Sequence, residues 1–312
     1  MSNPLVSILV ITYNQQDIVL DTIESCLNQT YGNYEIVVSD DGSTDATPTI
    51  LRELKTLHPN AIKLVLNPEN SGITANCNAG LSACSGEFIA LMGGDDLLLP
   101  SKLSEQVTAF QNDPELVLSY HPCHVLRNGV MSEVVGGRRK DVVTGFLDVV
   151  GKFGAQMPGP ATMVRSSAIP AGGFNDEICT ASDWLFQIDV SSQGHVARID
   201  TPLAIYRQDL TNVGQRYFSY SDDFLKTLTI VEERYGSRPG IHSAVRRGAR
   251  RFLLGITYRA LEQDRPDLAV NYGRELTNYS PKFVSGAVVA LARVPGTGSA
   301  LRAAKSFLKR YV

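Results

Sequence analysis

Small polar residues and carboxylates stand in three short clusters, each near the end of an apolar run rich in β-branched residues. The first cluster is Thr12, Tyr13 and Asn14, directly after the run 6–11. The second, Asp40 to Ser43, directly follows the run 34–39, and the third, Asp95 and Asp96, comes shortly after the run 88–92. Adjacent carboxylates repel each other unless a cation or hydrogen-bond donors meet them. Because Mg²⁺ and Mn²⁺ prefer hard oxygen ligands beside phosphorylated substrates, Asp95 and Asp96 predict a site for such an ion.

The second cluster has two interpretations. Asp, Gly and Ser often turn the chain and cap the next helix, so Asp40, Asp41 and Ser43 would have only that structural role. In the other interpretation, Asp41 contacts a ligand at the end of the strand. The residues by themselves leave both open.

Apolar periodicity predicts alternating strands and helices over the first hundred residues. The predicted strands are residues 6–11, 34–39, 62–66 and 88–92, and the predicted helices are residues 18–27, 45–57 and 74–83. This alternation favours a mostly parallel sheet with helices on both faces. Ligands of such sheets bind beyond the carboxyl ends of the strands, so the three polar clusters are expected to converge on one crevice.

Length and composition are typical of a globular protein. The chain has 312 residues, of which 43% are hydrophobic and 20% charged, enough for one large domain with an appendage. Its five cysteines are scattered, without a CxxC pair or a spacing typical of zinc sites, which favours a reducing compartment. We see neither a signal-peptide pattern nor an apolar run of the roughly 18 residues that a membrane helix needs. A cytoplasmic protein is therefore expected, without nucleic acid among its partners.

The net charge of −3 conceals an uneven distribution. Residues 237–312 contain 14 Lys and Arg against four Asp and Glu, a net charge of +10, whereas the first 236 residues carry −13. The pattern is helical from about residue 216 onward, so we predict a domain over residues 1–215 and a basic helical extension over residues 216–312. An apolar stripe at positions 300, 301, 304, 307, 308 and 311 predicts packing on the first domain or peripheral contact with the anionic inner face of the cytoplasmic membrane.

Several segments occur in an order and spacing that point to one family. They read VSILVITYN, DDGSTDAT, NSGITANCNAGL, GEFIALMGGDD with a proline four residues later, TASDWLFQIDV and YRQD. This set, over about residues 5–210, resembles the inverting glycosyltransferase family two, of the type that builds bacterial polysaccharides such as O-antigen. The resemblance implies an α/β architecture of GT-A fold, with a mostly parallel central sheet flanked by helices, here with a helical carboxyl-terminal extension.

The resemblance also implies roles for particular residues. A nucleoside-diphosphate sugar would lie at the carboxyl edge of the sheet, and Asp96 would hold Mn²⁺ or Mg²⁺ at its diphosphate. Tyr13 and Asp41 would meet the base, and Asp95 the ribose. The residues expected to bind the nucleotide sugar are Thr12, Tyr13, Asn14, Asp41, Asn70, Asp95 and Arg207. The metal would stabilise the charge that develops on the leaving diphosphate.

Asp183 is the candidate general base. TASDWLFQIDV resembles the family's acidic motif at the start of a helix, with Ser182 where a second acid is common. A carboxylate in a partly dry cleft can take the proton of a sugar hydroxyl; the alternative is an Asp that only complements the helix dipole. Arg207 also has two interpretations, a partner for a donor phosphate or a solvated arginine at a strand end.

Three positions depart from the family pattern. Cys77 stands where an Arg often precedes the Asn, Gly93 replaces a third acid, and Asp209 replaces the usual His. Because these positions surround the expected donor site, they leave the donor's base and sugar open.

The predicted function is transfer of a hexosyl or deoxyhexosyl group, with inversion, from a nucleoside-diphosphate sugar. The expected acceptor is a glycan or a polyprenyl-diphosphate-linked sugar, in the synthesis of O-antigen, capsule, exopolysaccharide or lipopolysaccharide. A dinucleotide-dependent oxidoreductase would need a glycine-rich loop after the first strand, and residues 12–15 contain no glycine. A non-catalytic protein that binds nucleotide sugars or glycans on the same fold stays the alternative.

Overall fold

In the computed structural model the described part of the chain divides into two units. The described residues are 3–136, 142–152, 157–179, 181–208, 218, 220–294, 296 and 298–299. One unit comprises the described residues within Met1–Val149 and Gly154–Asp209, and the other those within Val150–Phe153 and Leu210–Val312. The boundary predicted after residue 215 falls outside the described residues, as does Asp209.

Seven strands form the central sheet. In chain order the strands of the protein are β1 (Val6–Thr12), β2 (Tyr34–Asp40), β3 (Ile62–Leu66), β4 (Phe88–Gly93), β5 (Leu97–Leu98), β6 (Leu116–Tyr120), β7 (Cys123–Arg127), β8 (Val130–Val135), β9 (Met163–Arg165), β10 (His195–Arg198) and β11 (Ala204–Arg207). The order across the central sheet is β10-β6-β9-β4-β1-β2-β3. β1 pairs in parallel with β2 and β4, β2 with β3 and β6 with β10, whereas β9 is antiparallel to β4 and β6. The predicted α/β architecture with a mostly parallel sheet is confirmed.

Helices cover this sheet. Those before residue 192 are α1 (Val19–Leu27), α2 (Thr47–Leu57), α3 (Ile73–Ala83), α4 (Lys102–Asn112), α5 (Phe146–Gly151) and α6 (Ser182–Ser191). α1 illustrates their packing, because Val19, Ile23 and Cys26 recur at helical spacing and join the strand residues in one core cluster. Replacing the fully buried Ile23 by Ala is expected to cost about 2–5 kcal/mol of unfolding free energy.

A second, four-stranded sheet has the order β5-β11-β7-β8. The hairpin of β7 and β8 turns at Asn128 and Gly129, whose φ angles are 49° and 75°. Two consecutive positive φ angles are those of a tight type I′ hairpin turn, which the dipeptide Asn-Gly favours. In the same sheet β11 pairs antiparallel with β5, the short strand that follows Asp96. This pairing brings the end of β11 close to the Asp95-Asp96 pair.

The carboxyl-terminal unit is helical, as predicted. Its helices are α7 (Ser221–Tyr235), α8 (Ile241–Glu262), α9 (Pro266–Glu275) and α10 (Lys282–Ala292). α8 buries one face, whereas Arg246, Arg250, Leu254 and Tyr258 are exposed on the other. Among the described residues, no helix combines the length and the apolar character that crossing a membrane requires. The apolar stripe predicted within residues 300–312 lies outside the described residues.

Candidate functional site

The three polar clusters lie at one edge of the central sheet, as their positions after successive strands predicted. β1 lies between β2 and β4, with Thr12 opposite Asp40 and Ile11 opposite Gly93. Neighbouring strands are about 4.8 Å apart, so the ends of β2 and β4 are separated by about 10 Å across β1. An elongated ligand such as a nucleotide can therefore reach residues of all three strands.

Asn14 ties the loop after β1 to the loop after β2. Its backbone N–H donates to Ser43 Oγ at 2.8 Å, and its side-chain Oδ1 accepts the N–H of Thr44 at 2.9 Å. Asn14 has a φ of 50°, a left-handed conformation that Asn tolerates better than most residues. The neighbouring Tyr13 side chain is 43% exposed. The loop thus presents an aromatic ring to solvent at the edge where a ligand is expected.

Asp40 and Asp41 have different roles. Asp40 closes a turn, because its carboxylate accepts both the N–H and the hydroxyl of Ser43. Asp41 instead accepts the N–H groups of Ser71 and Gly72, at 2.9 and 3.0 Å, and so holds the loop that precedes α3. A carboxylate offers about four lone-pair positions, so these two bonds leave acceptor capacity on Asp41. The turn interpretation therefore holds for Asp40 but does not describe Asp41.

Asn70 belongs to the same loop. Its Oδ1 accepts the N–H of Gly72 at 3.1 Å, a bond within its own loop, and its side chain is exposed. Gly72 has a φ of 90°, which only glycine adopts readily. Asn70 and Asp41 therefore stabilise the same turn, immediately before the first residue of α3.

The Asp95-Asp96 pair carries a like-charge interaction. Asp96 is only 3% exposed, and burial, followed by the charge of Asp95, raises its pKa well above the ordinary value. Donation from the N–H groups of Arg207 and Gly93 lowers that pKa in part. A Cβ at Gly93 would lie 2.5 Å from Asp95 Oδ1, so the missing third acid leaves room for the Asp95 carboxylate.

A divalent cation fits this pair only if a bound substrate supplies further oxygen ligands. Among the described residues there is no group of three or more His, Cys, Asp or Glu side chains that could hold a metal ion. Mg²⁺, however, is usually bound by one or two carboxylates plus substrate phosphates rather than by an all-protein cage. A cation beside Asp95 and Asp96 would also relieve the repulsion that raises the pKa of Asp96. The donor set therefore suits a metal shared with a phosphorylated substrate.

Arg207 lies at the end of β11 next to this pair. Its backbone N–H donates to Asp96 Oδ1 at 3.1 Å, and its Nη2 donates to Asp21 Oδ2 at 2.8 Å. The side chain is 17% exposed, less than a fully solvated strand-end arginine would be. Asp21, in the first turn of α1, was not among the predicted site residues.

Three polar atoms near the strand ends are buried without a hydrogen-bond partner in the described part of the chain. They are Thr12 Oγ1, Gln15 Oε1 and Arg207 Nη1. A Cβ at Gly94 would lie 3.0 Å from Thr12 Cβ and would clash with Gln15 Oε1, so both side chains face the glycine just before Asp95. Because buried polar groups are normally paired, these atoms are available to a polar ligand.

Asp183 occupies the first turn of α6. Its Oδ1 accepts the N–H of Trp184 at 2.9 Å. Part of the Asp183 side chain is open to solvent, but protein atoms surround the carboxyl on its other sides. This partial desolvation raises the pKa of Asp183 above the ordinary Asp value. A raised pKa makes a carboxylate a better proton acceptor, as a general base requires. The position in the first turn of a helix is also compatible with an Asp that only complements the helix dipole. Trp184 belongs to the core: it is 2% exposed, and its Nε1 donates to the carbonyl of Val149.

α3, whose preceding loop is held by Asp41, also contacts the segment before Asp183. Thr74 Oγ1 lies within hydrogen-bond distance of Ser182 Oγ and of the carbonyl oxygen of Ile178. Cys77, in the next turn of α3, has its pKa raised to about 12 by burial and then by the charges of Asp183 and Asp41. The two candidate site carboxylates therefore both lie near α3. Sequence reasoning missed Thr74, although a Thr at a buried helix position is a signal for a side-chain hydrogen bond.

Comparison with solved structures shows the fold. TarS of S. aureus (residues 1–349), in complex with UDP-GlcNAc, matches with a TM-score of 0.70 and 15% identity over 96% of this chain and 92% of that chain. The mannosyltransferase PcManGT from Pyrobaculum calidifontis, in complex with GDP-Man and Mn²⁺, matches with a TM-score of 0.63 and 17% identity over 97% and 84%. The chain has the GT-A fold that its motifs implied.

Sequence comparison finds relatives that align over part of their length. Rv1520 of Mycobacterium tuberculosis is 38% identical over 122 residues, 38% of this chain and 35% of that protein. WfaP of Escherichia coli, a UDP-Glc:alpha-D-GlcNAc-diphosphoundecaprenol beta-1,3-glucosyltransferase, is 34% identical over 130 residues, 42% of this chain and 50% of that protein. The aligned part of the chain thus spans about a third to a half of the length of these curated relatives.

The family comparison covers the segments that carry the polar clusters. A family model described as glycosyl transferase family 2 matches residues 7–128. This range contains Tyr13, Asp41, Asn70 and the Asp95-Asp96 pair. Residues 7–128 of this chain therefore belong to glycosyl transferase family 2.

Proposed function

We propose that this chain is a glycosyltransferase that moves a hexosyl or deoxyhexosyl group from a nucleoside-diphosphate sugar, with inversion at the anomeric carbon. One observation carries the proposal: Asp41 from the end of β2 and Asp95 and Asp96 from the end of β4 face one edge, where Arg207 Nη1 is buried without a partner in the described residues. Anionic and polar groups gathered in this way suit a ligand that carries both hydroxyls and phosphates.

The nucleoside would be bound by the residues after β1 and β2. Tyr13 presents an exposed ring that can stack on the base, and Asp41 retains acceptor capacity for a base N–H. Asp95, the less buried of the two carboxylates, would accept a ribose hydroxyl. Thr12 contributes a hydroxyl, while Asn14 and Asn70 hold the two loops in place. UDP-GlcNAc in TarS and GDP-Man in PcManGT support this donor class.

The diphosphate would lie between Asp96 and Arg207. An arginine forms charge-assisted hydrogen bonds with phosphate oxygens, and these are stronger than hydrogen bonds between neutral groups. In the described part of the chain, Nη1 of Arg207 has no hydrogen-bond partner, so it can donate to a phosphate. Asp96 would hold Mn²⁺ or Mg²⁺ together with the diphosphate. When bound there, the cation would offset the negative charge that develops on the leaving group.

Asp183 would act as the base. The hydroxyl oxygen of the acceptor attacks the anomeric carbon, the new C–O bond forms, and the bond to the diphosphate oxygen breaks on the opposite side. The hydroxyl proton passes to Asp183, and the nucleoside diphosphate leaves with the bonding electron pair. The raised pKa of Asp183 favours this proton transfer.

The acceptor would be a glycan or a sugar linked to polyprenyl diphosphate, in the synthesis of a cell-surface polysaccharide. The diphosphoundecaprenol substrate in the name of WfaP supports this class. Such an acceptor lies at a membrane, and the exposed Arg246 and Arg250 of α8 would provide peripheral contact with anionic lipid headgroups. All five cysteines are free thiols, which supports a location on the cytoplasmic side of that membrane.

A thermal-shift screen tests the proposal. We expect one of a panel of UDP-, GDP- and dTDP-sugars to raise the melting temperature, more strongly with Mn²⁺ than with EDTA, since a ligand that binds only the folded state stabilises it. The same donor should then release its nucleoside diphosphate over time. Stabilisation without any release, even with lipid-linked sugar acceptors, would instead indicate the non-catalytic binding protein. Lack of both effects would contradict the proposed donor class.

A further inference from the structure

α3, together with the loop residues just before it, contacts both sides of the proposed site. At its start, Asp41 accepts the N–H groups of Ser71 and Gly72. Further along, Asn76 Nδ2 donates to the carbonyl of Ser39 at 3.0 Å, at the end of β2. These bonds fix the helix to the strand ends that would bind the donor.

The opposite face of α3 holds the segment that leads to Asp183. Thr74 Oγ1 lies 2.7 Å from the carbonyl oxygen of Ile178, 3.1 Å from that of Cys179 and 2.9 Å from Ser182 Oγ. A hydroxyl has one proton, so the three oxygens share Thr74 as their donor, with the carbonyl oxygen of Ile178 the nearest of them. Thr74 is 4% exposed, and loss of its hydroxyl would leave the buried carbonyl oxygen of Ile178 without this donor.

Asn78 supports the same segment one helical turn later. Its Nδ2 donates to the carbonyl of Phe174 at 2.8 Å, and its Oδ1 accepts the N–H of Phe174 at 2.8 Å. Residues four apart in a helix lie on the same face, so Thr74 and Asn78 hold two points of the segment 174–182. The position of Asp183, the next residue, therefore depends on side chains about 105 positions earlier in the chain.

We propose that Thr74 is a positioning residue for the proposed base: its hydroxyl holds Ile178, Cys179 and Ser182 and so places the Asp183 carboxylate relative to the donor held by the other side of α3. This inference rests on the proposed function and deepens it. Ser182 has a part in it, because it stands in the place of the family's common second acid and its hydroxyl accepts a hydrogen bond from Thr74.

The mechanism predicts a selective effect on turnover. Displacement of a catalytic group by about 1 Å can cost up to about 100-fold in rate, whereas donor binding at Asp41 and Arg207 does not involve the Thr74 hydroxyl. Loss of that hydroxyl should therefore lower kcat and leave donor affinity almost unchanged.

Matched variants of Thr74 provide the test. The probe is whichever UDP-, GDP- or dTDP-sugar the wild-type protein turns over, with release of the nucleoside diphosphate as the readout. Thr74→Val keeps the shape but removes the hydroxyl, and we expect kcat to fall about 10- to 100-fold with a donor Kd within about twofold of wild type. Thr74→Ser keeps the hydroxyl and should stay within about threefold of wild type. Thr108→Val, in which a hydroxyl bonded only within α4 is lost, is the control for the same chemical change.

A double variant separates positioning from a general loss of structure. If Thr74 acts through Asp183, adding Thr74→Val to Asp183→Asn should cause no further fall in kcat. An unchanged kcat in Thr74→Val, an additive fall in the double variant, or a parallel loss of donor affinity would each overturn the inference. If Thr74→Val does not fold, Ser182→Ala removes the partner hydroxyl and the same comparison is made there. A wild-type protein that turns over none of the sugars would overturn the proposed function itself.

Discussion

The backbone N–H of Arg207 donates a hydrogen bond to Asp96 Oδ1 over a distance of 3.1 Å. The two residues are 111 positions apart in the chain, and the bond joins the end of β11 to the loop after β4. It occupies one carboxylate oxygen of Asp96 and places the guanidinium of Arg207 beside the acidic pair. The proposed metal ligand and the proposed diphosphate ligand thus belong to one hydrogen-bonded unit.

Asp96→Asn is expected to remove metal-dependent donor binding without unfolding the protein. Asn keeps an oxygen that can accept the Arg207 N–H but has no charge for a cation. Because burial and Asp95 raise the pKa of Asp96 well above normal, the neutral side chain should leave the melting temperature in EDTA unchanged or higher. Calorimetric titration of the stabilising nucleotide sugar, with and without Mn²⁺, measures the effect. Asp200→Asn, which alters an exposed carboxylate, is the control, and an unchanged Mn²⁺-dependent affinity in Asp96→Asn would contradict the assignment.

Asp183→Asn should lower turnover by about 10²–10⁴-fold while donor affinity stays nearly constant, since general-base assistance contributes by that factor. Burial raises the pKa of Asp183 above the ordinary value of an Asp carboxyl. The basic form is therefore lost, and the wild-type rate falls, as the pH drops through that raised pKa. The Asn variant should lack this acidic limb. The product is expected to have the anomeric configuration opposite to that of the donor. Retained configuration by NMR, or a near wild-type rate in the variant, would show the displacement or the base to be wrong.

The exposed arginines of α8 predict binding to anionic vesicles. Protein should co-sediment with vesicles containing phosphatidylglycerol but not with purely zwitterionic ones, and added salt should weaken binding because it screens exposed charges. Each of the variants Arg246→Gln and Arg250→Gln should bind less than Arg52→Gln, which alters an arginine exposed outside the basic extension. If the protein stays in the supernatant equally with anionic and with zwitterionic vesicles, membrane binding by the basic extension is contradicted and only a role in packing within the protein is left.

Lys102 predicts an unusual dependence of stability on pH. Its amine is fully buried, donates to Gln106 Oε1, and has its pKa lowered from 10.5 to about 7, chiefly by burial. Between those two values the unfolded chain binds one more proton at this site than the folded protein, so this residue makes the free energy of unfolding rise with pH. Lys102→Met should remove that rise and stabilise the protein most near and below pH 7. Denaturant unfolding from pH 6 to 10 measures it, with the exposed Lys282→Met as control; parallel profiles for wild type and Lys102→Met would contradict the prediction.

Local sequence patterns predicted the elements that carry the donor side of the site. The runs before Tyr13, Asp41 and Asp95 are mostly apolar because their strands are buried on both faces. The predicted strands match β1, β2, β3 and β4 to within one residue. The hairpin turn was equally predictable, since Asn128 and Gly129 tolerate positive φ. Such features depend on residues a few positions apart.

Other features depend on contacts that no local pattern reveals. β9, Met163–Arg165, has only three residues, yet it enters the central sheet between β4 and β6. Lys102 belongs to a helix whose other polar positions are mostly accessible, and only the packing of α4 on the sheet buries its amine. The ion pair of Arg207 with Asp21 spans 186 positions.

The sequence by itself determined the alternation of strands and helices, the polar clusters at the strand ends and the family to which residues 7–128 belong. These follow from side-chain periodicity and from backbone preferences, which act over a few neighbouring residues. Only the tertiary structure decided that Asp40 turns the chain while Asp41 holds the loop before α3, that Trp184 is a core residue, and that Thr74 supports the segment before Asp183. The physical reason is that a hydrogen bond or the burial of a charge depends on which distant segments fold against a residue, and the residue's own neighbours do not specify them.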